Sequence, residues 1–215
     1  MDLAYARRQM VRQQVRTWDV FDDETLELLN SLNRHEFVAP RYAHLAYADV
    51  RLPLPNGQEM MAPLVEGRLL QALDPSPGER VFEVGAGSGF LAACLASMAD
   101  SVLTVDIFDD LVTMARKNLT HAAVNNVEVR SMDITAELPD EQFDVIAVTG
   151  SMSDLDERLV SLLRPGGRLF AIIGEAPVME ANLVQKTEDG WSTRVLFETC
   201  MKPLVHARKP SAFTF

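Results

Sequence analysis

Val81-Phe82-Glu83-Val84-Gly85-Ala86-Gly87-Ser88-Gly89-Phe90 is the stretch on which the fold turns. From Arg80 to Val84 the residues lean toward β-branched and aromatic types, the signature of a short buried strand. Three glycines at spacing two follow. Glycine lets the backbone turn sharply and lets a ligand come close to it. A helix opening near Gly89 aims its unpaired N–H groups back at the loop. Strand, loop and helix in that order make a cofactor pocket. A glycine triplet on its own is equally well a flexible turn, so the flanking chain has to decide.

Downstream the pattern alternates. Ser101 to Asp106 reads as a second strand, Asp109 to Ala122 as a helix, Val127 to Arg130 as a third strand and Phe143 to Thr149 as a fourth. Asp154 to Leu163 reads as a helix closed by Pro165-Gly166-Gly167, and Arg168 to Ile173 as a fifth strand. Near-continuous apolar strands alternating with helices predict an α/β fold, a doubly wound, mostly parallel sheet covered on both faces. Asn182 to Lys186 and Trp191 to Cys200, joined by Glu188-Asp189-Gly190, predict an antiparallel hairpin at the C-terminal end. Phe213 to Phe215 reads as a last short edge strand.

Upstream, Pro63 starts a helix with Leu64, Val65, Leu69, Ala72 and Leu73 facing inward. Leu3 to Trp18 reads as a helix, and Asp22 as the N-cap of a second one carrying Leu26, Leu29 and Leu32. Leu52-Pro53-Leu54-Pro55-Asn56-Gly57 reads as a loop. The expected organisation is an N-terminal arm, residues 1–57, packed on a cofactor-binding domain, residues 58–215.

The chain has 215 residues, a net charge of −11 and a pI of about 4.8. Phosphate backbones call for a basic face, so nucleic acid is not the expected partner. Arg8, Arg12 and Arg16 lie four apart and read as a solvated helix face. Cys94 and Cys200 have neither disulfide nor metal-ligand spacing, so no metal site is expected, and Cys94 reads as a small core residue. No apolar run approaches the roughly 18 residues of a membrane span, and the start lacks a signal-peptide pattern. The expected setting is the cytoplasm, with no membrane partner. Composition and spacing say nothing of oligomeric state.

Two cofactor classes use such a glycine loop. Dinucleotides favour Gly-x-Gly-x-x-Gly, with the third glycine against a pyrophosphate. Here that position is Phe90. Glu83, two residues before the first glycine, repels a phosphate and attracts an ammonium or sulfonium. S-adenosylmethionine carries both cations and no phosphate. Asp106, 17 residues after Gly89, sits where a carboxylate accepts ribose hydroxyls. Asp133 has two readings, an acceptor for the adenine amine or the cap of its own turn. Asp144 reads as a structural carboxylate bonded to local backbone amides.

Together these segments, with Val105-Asp106-Ile107, Met132-Asp133, Phe143-Asp144-Val145-Ile146 and Leu163-Arg164-Pro165-Gly166-Gly167, resemble the class I S-adenosylmethionine-dependent methyltransferases. Phe37-Val38-Ala39-Pro40, Ala46-Tyr47-Ala48-Asp49, Leu52-Pro53-Leu54, Gly57-Gln58 and Phe90-Leu91-Ala92-Ala93 narrow the resemblance to the protein-L-isoaspartate O-methyltransferases. The resemblance implies a seven-stranded doubly wound sheet with an N-terminal arm over the site. It implies methyl transfer to an isoaspartyl carboxylate of a damaged protein, so the partner is a carboxylate-bearing protein or peptide. By the same resemblance the cofactor contacts are Glu83, Gly85, Ala86, Gly87, Ser88 and Gly89 at the loop. Asp106, Ile107, Asp133, Ile134 and Thr149 complete them at the neighbouring strand ends.

One segment departs from the family. Its Gly-Gln-Thr-Ile-Ser-Gln-Pro stands here as Gly57-Gln58-Glu59-Met60-Met61-Ala62-Pro63, so the family's hydroxyl falls on Met61, a thioether that donates no hydrogen bond. Ser151 and Ser153, beyond the fourth strand, are the candidates to replace it. A methyltransferase of the same fold with another acceptor, small molecules included, and a non-catalytic S-adenosylmethionine-binding interaction protein are the alternative readings.

Overall fold

The computed structural model describes residues 2–207. The chain begins with a helix, α1 (Leu3–Gln9), N-capped by Asp2, whose side chain accepts from Tyr5 N. The long helix expected to Trp18 changes character at Met10: a π-helical turn runs over Met10–Val15 and a 3-10 turn over Arg16–Trp18. A π turn widens the spiral; here Met10, Val11 and Val15 are all buried, while Arg8, Arg12 and Arg16 stay exposed. Helix α2 (Asp23–Ser31) is capped as expected, Asp22 accepting from Thr25 N at 2.7 Å.

The stretch expected to be a loop is a small hairpin. Strands β1 (Leu52–Pro53) and β2 (Glu59–Met60) pair antiparallel around a turn at Pro55–Gly57. Asn56 and Gly57 take left-handed backbones, with φ of 55° and 67°, and Leu54 N donates to Gln58 O at 2.8 Å. The prolines that argued against regular structure sit at an edge and in a turn, where no ladder hydrogen bond is lost.

From Pro63 the order is helix α3 (Pro63–Leu73), strand β3 (Arg80–Val84), helix α4 (Phe90–Met98), strand β4 (Ser101–Asp106), helix α5 (Asp109–His121) and strand β5 (Val127–Ser131). Strand β6 (Phe143–Met152), helix α6 (Glu157–Ser161), and strands β7 (Leu163–Glu175), β8 (Val178–Thr187) and β9 (Gly190–Thr199) follow. Helix α6 starts later than expected because Asp156, not Asp154, is the cap, accepting from Arg158 N at 3.0 Å. The proposed edge strand at 213–215 lies outside the described residues.

The seven strands lie in the order β5-β4-β3-β6-β7-β8-β9, parallel from β5 to β7 and antiparallel from β7 to β9. This is the doubly wound, mostly parallel sheet with the C-terminal hairpin. Side chains alternate between two cores, as the two-residue period of a strand requires. Val81, Val102, Val145 and Ala147 face α3, α4, α5 and the arm, while Phe82, Leu103, Ile146 and Val148 face α6. The arm shares the first core: Met10, Val15, Leu26 and Leu29 pack in one cluster with Leu64, Leu69 and Leu95. Gly67 permits this approach, since a Cβ there would lie 2.9 Å from a Val15 methyl. Among the described residues no helix is long and apolar enough to cross a membrane.

Chain direction reverses its walk at β3, between β4 and β6. The carboxyl ends of these three strands bound a crevice, the place where ligands of open α/β sheets sit.

Candidate active site

The glycine loop joins β3 to α4. Gly85 N and Ala86 N donate to Val105 O at 2.8 and 2.9 Å, which ties the loop to the end of β4. Gly85 has φ +96°, and a Cβ on it would lie 2.1 Å from Thr149 Oγ1. No other residue fits there, because both the backbone angle and the space exclude a side chain. The Thr149 hydroxyl donates to Val84 O at 2.8 Å and so closes the floor under the loop. Gly89 caps the start of α4, where the helix was expected to open. It lines neither cavity of the site; its missing Cβ lets α4 approach the Ala115 backbone of α5, 3.2 Å from where that atom would be.

Asp106 ends β4, with Oδ2 accepting from Gly87 N at 3.0 Å and Oδ1 from Phe108 N at 3.1 Å. Burial raises its pKa, and the backbone donors of Gly87, Phe108 and Ile107 work against that rise. A carboxylate has about four acceptor sites, so it can hold the loop and still accept from a ribose hydroxyl. Around it opens a cleft of about 730 Å³, counting the space open to solvent. Gly85, Gly87, Asp106, Ile107, Asp133, Ile134 and Thr149 all line it.

Asp133 is at the cleft, but its carboxylate does the work of a turn cap. Oδ1 accepts from Thr135 N at 2.9 Å and from Thr135 Oγ1 at 2.7 Å, and Oδ2 meets His206 Nδ1 at 2.8 Å. Thr135 and then His206 hold its pKa below the usual carboxylate range. Asp144 is structural as expected, accepting from Arg80 N at 2.8 Å and pairing with Arg164 at 2.9 Å.

Behind the loop lies a smaller chamber that shares Leu54, Glu59, Gly85, Gly87 and Thr149 with the cleft. Glu83, Ala86, Ser88, Met60, Met61 and Glu66 also line it, with Phe90 and Leu91. Glu83 is wholly buried, and neither carboxylate oxygen has a hydrogen-bond partner; the Thr104 hydroxyl, opposite it in register, is also unsatisfied. Burial pushes Glu83 up to about 8; the Thr104 hydroxyl beside it, near enough to favour the charged form although no hydrogen bond of full geometry is closed, opposes the shift, and Asp106 and Glu66 add to it. An ionised carboxylate in this position calls for a cation.

Sequence reasoning missed the support of this chamber. Arg34, 1% exposed, pairs with Glu66 at 3.3 Å, donates to Met61 O at 2.5 Å and to Met60 Sδ at 3.2 Å, and lies over the Phe90 ring at 5.1 Å. Burial raises Glu66 to about 7, with Arg34 pulling the other way. The available signal was Glu66 itself, a charge among the apolar residues of α3. Met61 is buried in the chamber wall, as its apolar side chain demands.

Neither serine candidate lines the cleft or the chamber. Ser151 is 1% exposed and its hydroxyl donates to Met201 O at 3.1 Å. Ser151 N donates to Lys202 O and Leu204 N to Ser151 O, both at 2.9 Å. Ser151 therefore pins a C-terminal strap, Met201 to Val205, across the mouth of the cleft, where all five residues line the wall. Ser153 opens, with Leu155 and His206, on a recess that borders the cleft across Ile134 and Leu204. The strap had no sequence signal, because Met201-Lys202-Pro203-Leu204 is an irregular stretch without periodicity.

The residues fit S-adenosylmethionine. A buried carboxylate without a partner lies below the loop, and a second carboxylate with spare lone pairs stands at the strand tip. Among the described residues, the lining of neither cavity offers a cluster of cations to a phosphate.

Comparison with known proteins gives a consistent result. The sequence profile of the protein-L-isoaspartate(D-aspartate) O-methyltransferase (PCMT) family matches residues 6–209. A protein-L-isoaspartate O-methyltransferase of Koribacter versatilis is 34% identical over 198 residues, 92% of this chain and 89% of the relative. One from Aeropyrum pernix is 38% identical over 190 residues, 86% of this chain and 73% of the relative. Among solved structures, a Plasmodium falciparum chain assigned as a protein-L-isoaspartate O-methyltransferase, in complex with S-adenosyl-L-homocysteine, superposes with a TM-score of 0.78. Its identity is 23%, covering 92% of this chain and 97% of the other, which is a likeness of fold.

Proposed function

The chain belongs to the protein-L-isoaspartate(D-aspartate) O-methyltransferase family, and on that premise we propose that it methylates the carboxylate of isoaspartyl residues in damaged proteins, with S-adenosylmethionine as donor. The observation that carries the reading is Glu83, a buried carboxylate without a hydrogen-bond partner directly under a glycine loop. S-adenosylmethionine would supply an electrophilic methyl on a cationic sulfur, and its transfer to a carboxylate oxygen consumes both charges with no proton to move.

The chain's own residues then have limited but definite tasks. Asp106 would hold the ribose end while its bonds to Gly87 N and Phe108 N keep the loop in place. Glu83 would balance the cationic end from below. A carboxylate acceptor is ionised at neutral pH, its unperturbed pKa being about 4, so no general base is needed. Positioning and exclusion of water remain, and the β1–β2 hairpin and the Met201–Val205 strap supply walls for both. The exposed free Cys200 suits a reducing compartment, in support of work in the cytoplasm.

Radiolabelled methyl transfer from S-adenosylmethionine to an isoaspartyl peptide, with the aspartyl peptide as control, tests the reading. Base-labile label in the isoaspartyl peptide alone is the expected result. Tight S-adenosylmethionine binding without that label would overturn the acceptor, and absence of binding would overturn the enzyme.

A further inference from the structure

The walls of the cleft and the chamber carry five carboxylates: Glu59, Glu66, Glu83, Asp106 and Asp133. Arg34 matches Glu66, and Glu83 lies buried where the donor's cation would balance it, but Glu59, Asp106 and Asp133 on the open cleft still repel an anionic acceptor. Among the described residues one basic side chain lines that cleft, Lys202. We infer that Lys202 binds the acceptor's carboxylate and so makes this acidic cleft accept an anion. The assignment rests on the carboxyl-methylating reading above and names the residue that reading needs.

Lys202 is mounted for this. Its backbone is fixed on both sides by Ser151, through Met201 O, Lys202 O and Leu204 N. Its side chain, 45% exposed, crosses from the strap to the β1–β2 hairpin, where Nζ donates to Gly57 O and stands 3.4 Å from Glu59 Oε1. Glu59 has a second cation of its own, Arg51 Nη1 at 3.1 Å from Oε2. An ammonium has three donors; the Gly57 carbonyl takes one, and the Glu59 contact at 3.4 Å is an ion pair without hydrogen-bond geometry. The carbonyl of Gly57 and the shared carboxylate of Glu59 hold the ammonium at the mouth; an incoming carboxylate completes its shell or takes Glu59's place, and Arg51 keeps Glu59 neutralised. Met61, the apolar residue deeper in the wall, offers an anion nothing.

The test uses the full chain, S-adenosylmethionine and an isoaspartyl peptide, and compares Lys202→Met, Lys202→Arg and Glu59→Gln. Removing a charge-assisted hydrogen bond to the acceptor predicts a KM for peptide raised about tenfold or more in Lys202→Met. The kcat and the calorimetric Kd for S-adenosylhomocysteine stay near wild type. Lys202→Arg recovers most of the KM. Glu59→Gln lowers the KM, because it removes the competing carboxylate while leaving the cation. An unmoved KM in Lys202→Met overturns the assignment. So does a matching defect in Glu59→Gln, which would make the pair a latch, and so does a parallel loss of S-adenosylhomocysteine affinity, which would assign the cation to the cofactor's own carboxylate. A wild-type enzyme that leaves the isoaspartyl peptide unmethylated removes the proposed function and this assignment with it; an active wild type with any of the three preceding results removes the assignment alone.

Discussion

Glu83 occupies the middle of a parallel sheet with no hydrogen bond to either carboxylate oxygen. Such a group holds its proton. With Glu66 at about 7 and Glu83 at about 8, both stand above their ordinary 4.5 in the fold. The folded chain therefore binds these protons more tightly than the unfolded chain. Their contribution to stability is complete below about pH 4.5 and is lost as pH rises through 7 and 8. Thermal unfolding of the ligand-free protein from pH 5 to 8.5 should show a falling midpoint, and Glu83→Gln should flatten the upper part of that fall. An unchanged slope in the variant would refute the assignment of this titration to Glu83. A cation placed beside Glu83 reverses the shift, so S-adenosylmethionine uptake at pH 7 should release up to about one proton. Calorimetry in buffers of different ionisation enthalpy reads that number directly, and Glu83→Gln should abolish it.

At the scale of elements, the site is two strips of chain closed over the ends of three strands. Each strip is held by a residue that touches no substrate. Ser151 holds the strap, and Arg34 holds the hairpin through Met61 O while paired with Glu66. Breaking a buried pair by removing one partner costs about 3–5 kcal/mol, whereas replacing both by apolar groups is often neutral. Arg34→Met should therefore cost about 3 kcal/mol in denaturant unfolding, and Arg34→Met with Glu66→Leu should recover most of it. A single variant within about 0.5 kcal/mol of wild type would mean that the pair does not anchor the hairpin.

Taken whole, the molecule has one apolar core on the α3 side of the sheet, and the arm supplies part of it. Met10, Val15 and Leu29 are at most 1% exposed, and Arg68 of α3 ties Trp18 O at 3.0 Å to Leu196 O at 3.3 Å. A chain beginning at residue 58 would expose that core face. Its thermal unfolding should lose the cooperative transition of the full chain, with increased binding of a hydrophobic dye. A sharp, native-like transition in the truncated chain would show the arm to be dispensable.

What the sequence by itself determined follows from short-range physics. Apolar strand runs, the capping carboxylate Asp22 and the glycines of the loop act within a few residues, so the sheet, its hairpin and the turn after β3 were legible from spacing, while the cofactor came from the flanking residues and the family resemblance. The placement of Glu83 in β3 and of Asp106 at the end of β4 was legible for the same reason, because a strand run positions its own side chains without help from elsewhere. Turn chemistry was legible only in part: Asp133 was open between two roles, and the fold gives it the turn-capping bonds to Thr135 and a contact with His206 while leaving it on the cleft wall. The tertiary structure decided everything that depends on segments far apart in the chain. It converted Ser151 from a donor to substrate into a pin for the strap, matched Arg34 with Glu66 across 32 positions, and brought Lys202 to Gly57 across 145. No periodicity encodes such meetings. They arise when two core faces close, and a buried charge or a loose strap then takes whatever partner the packing has brought within reach.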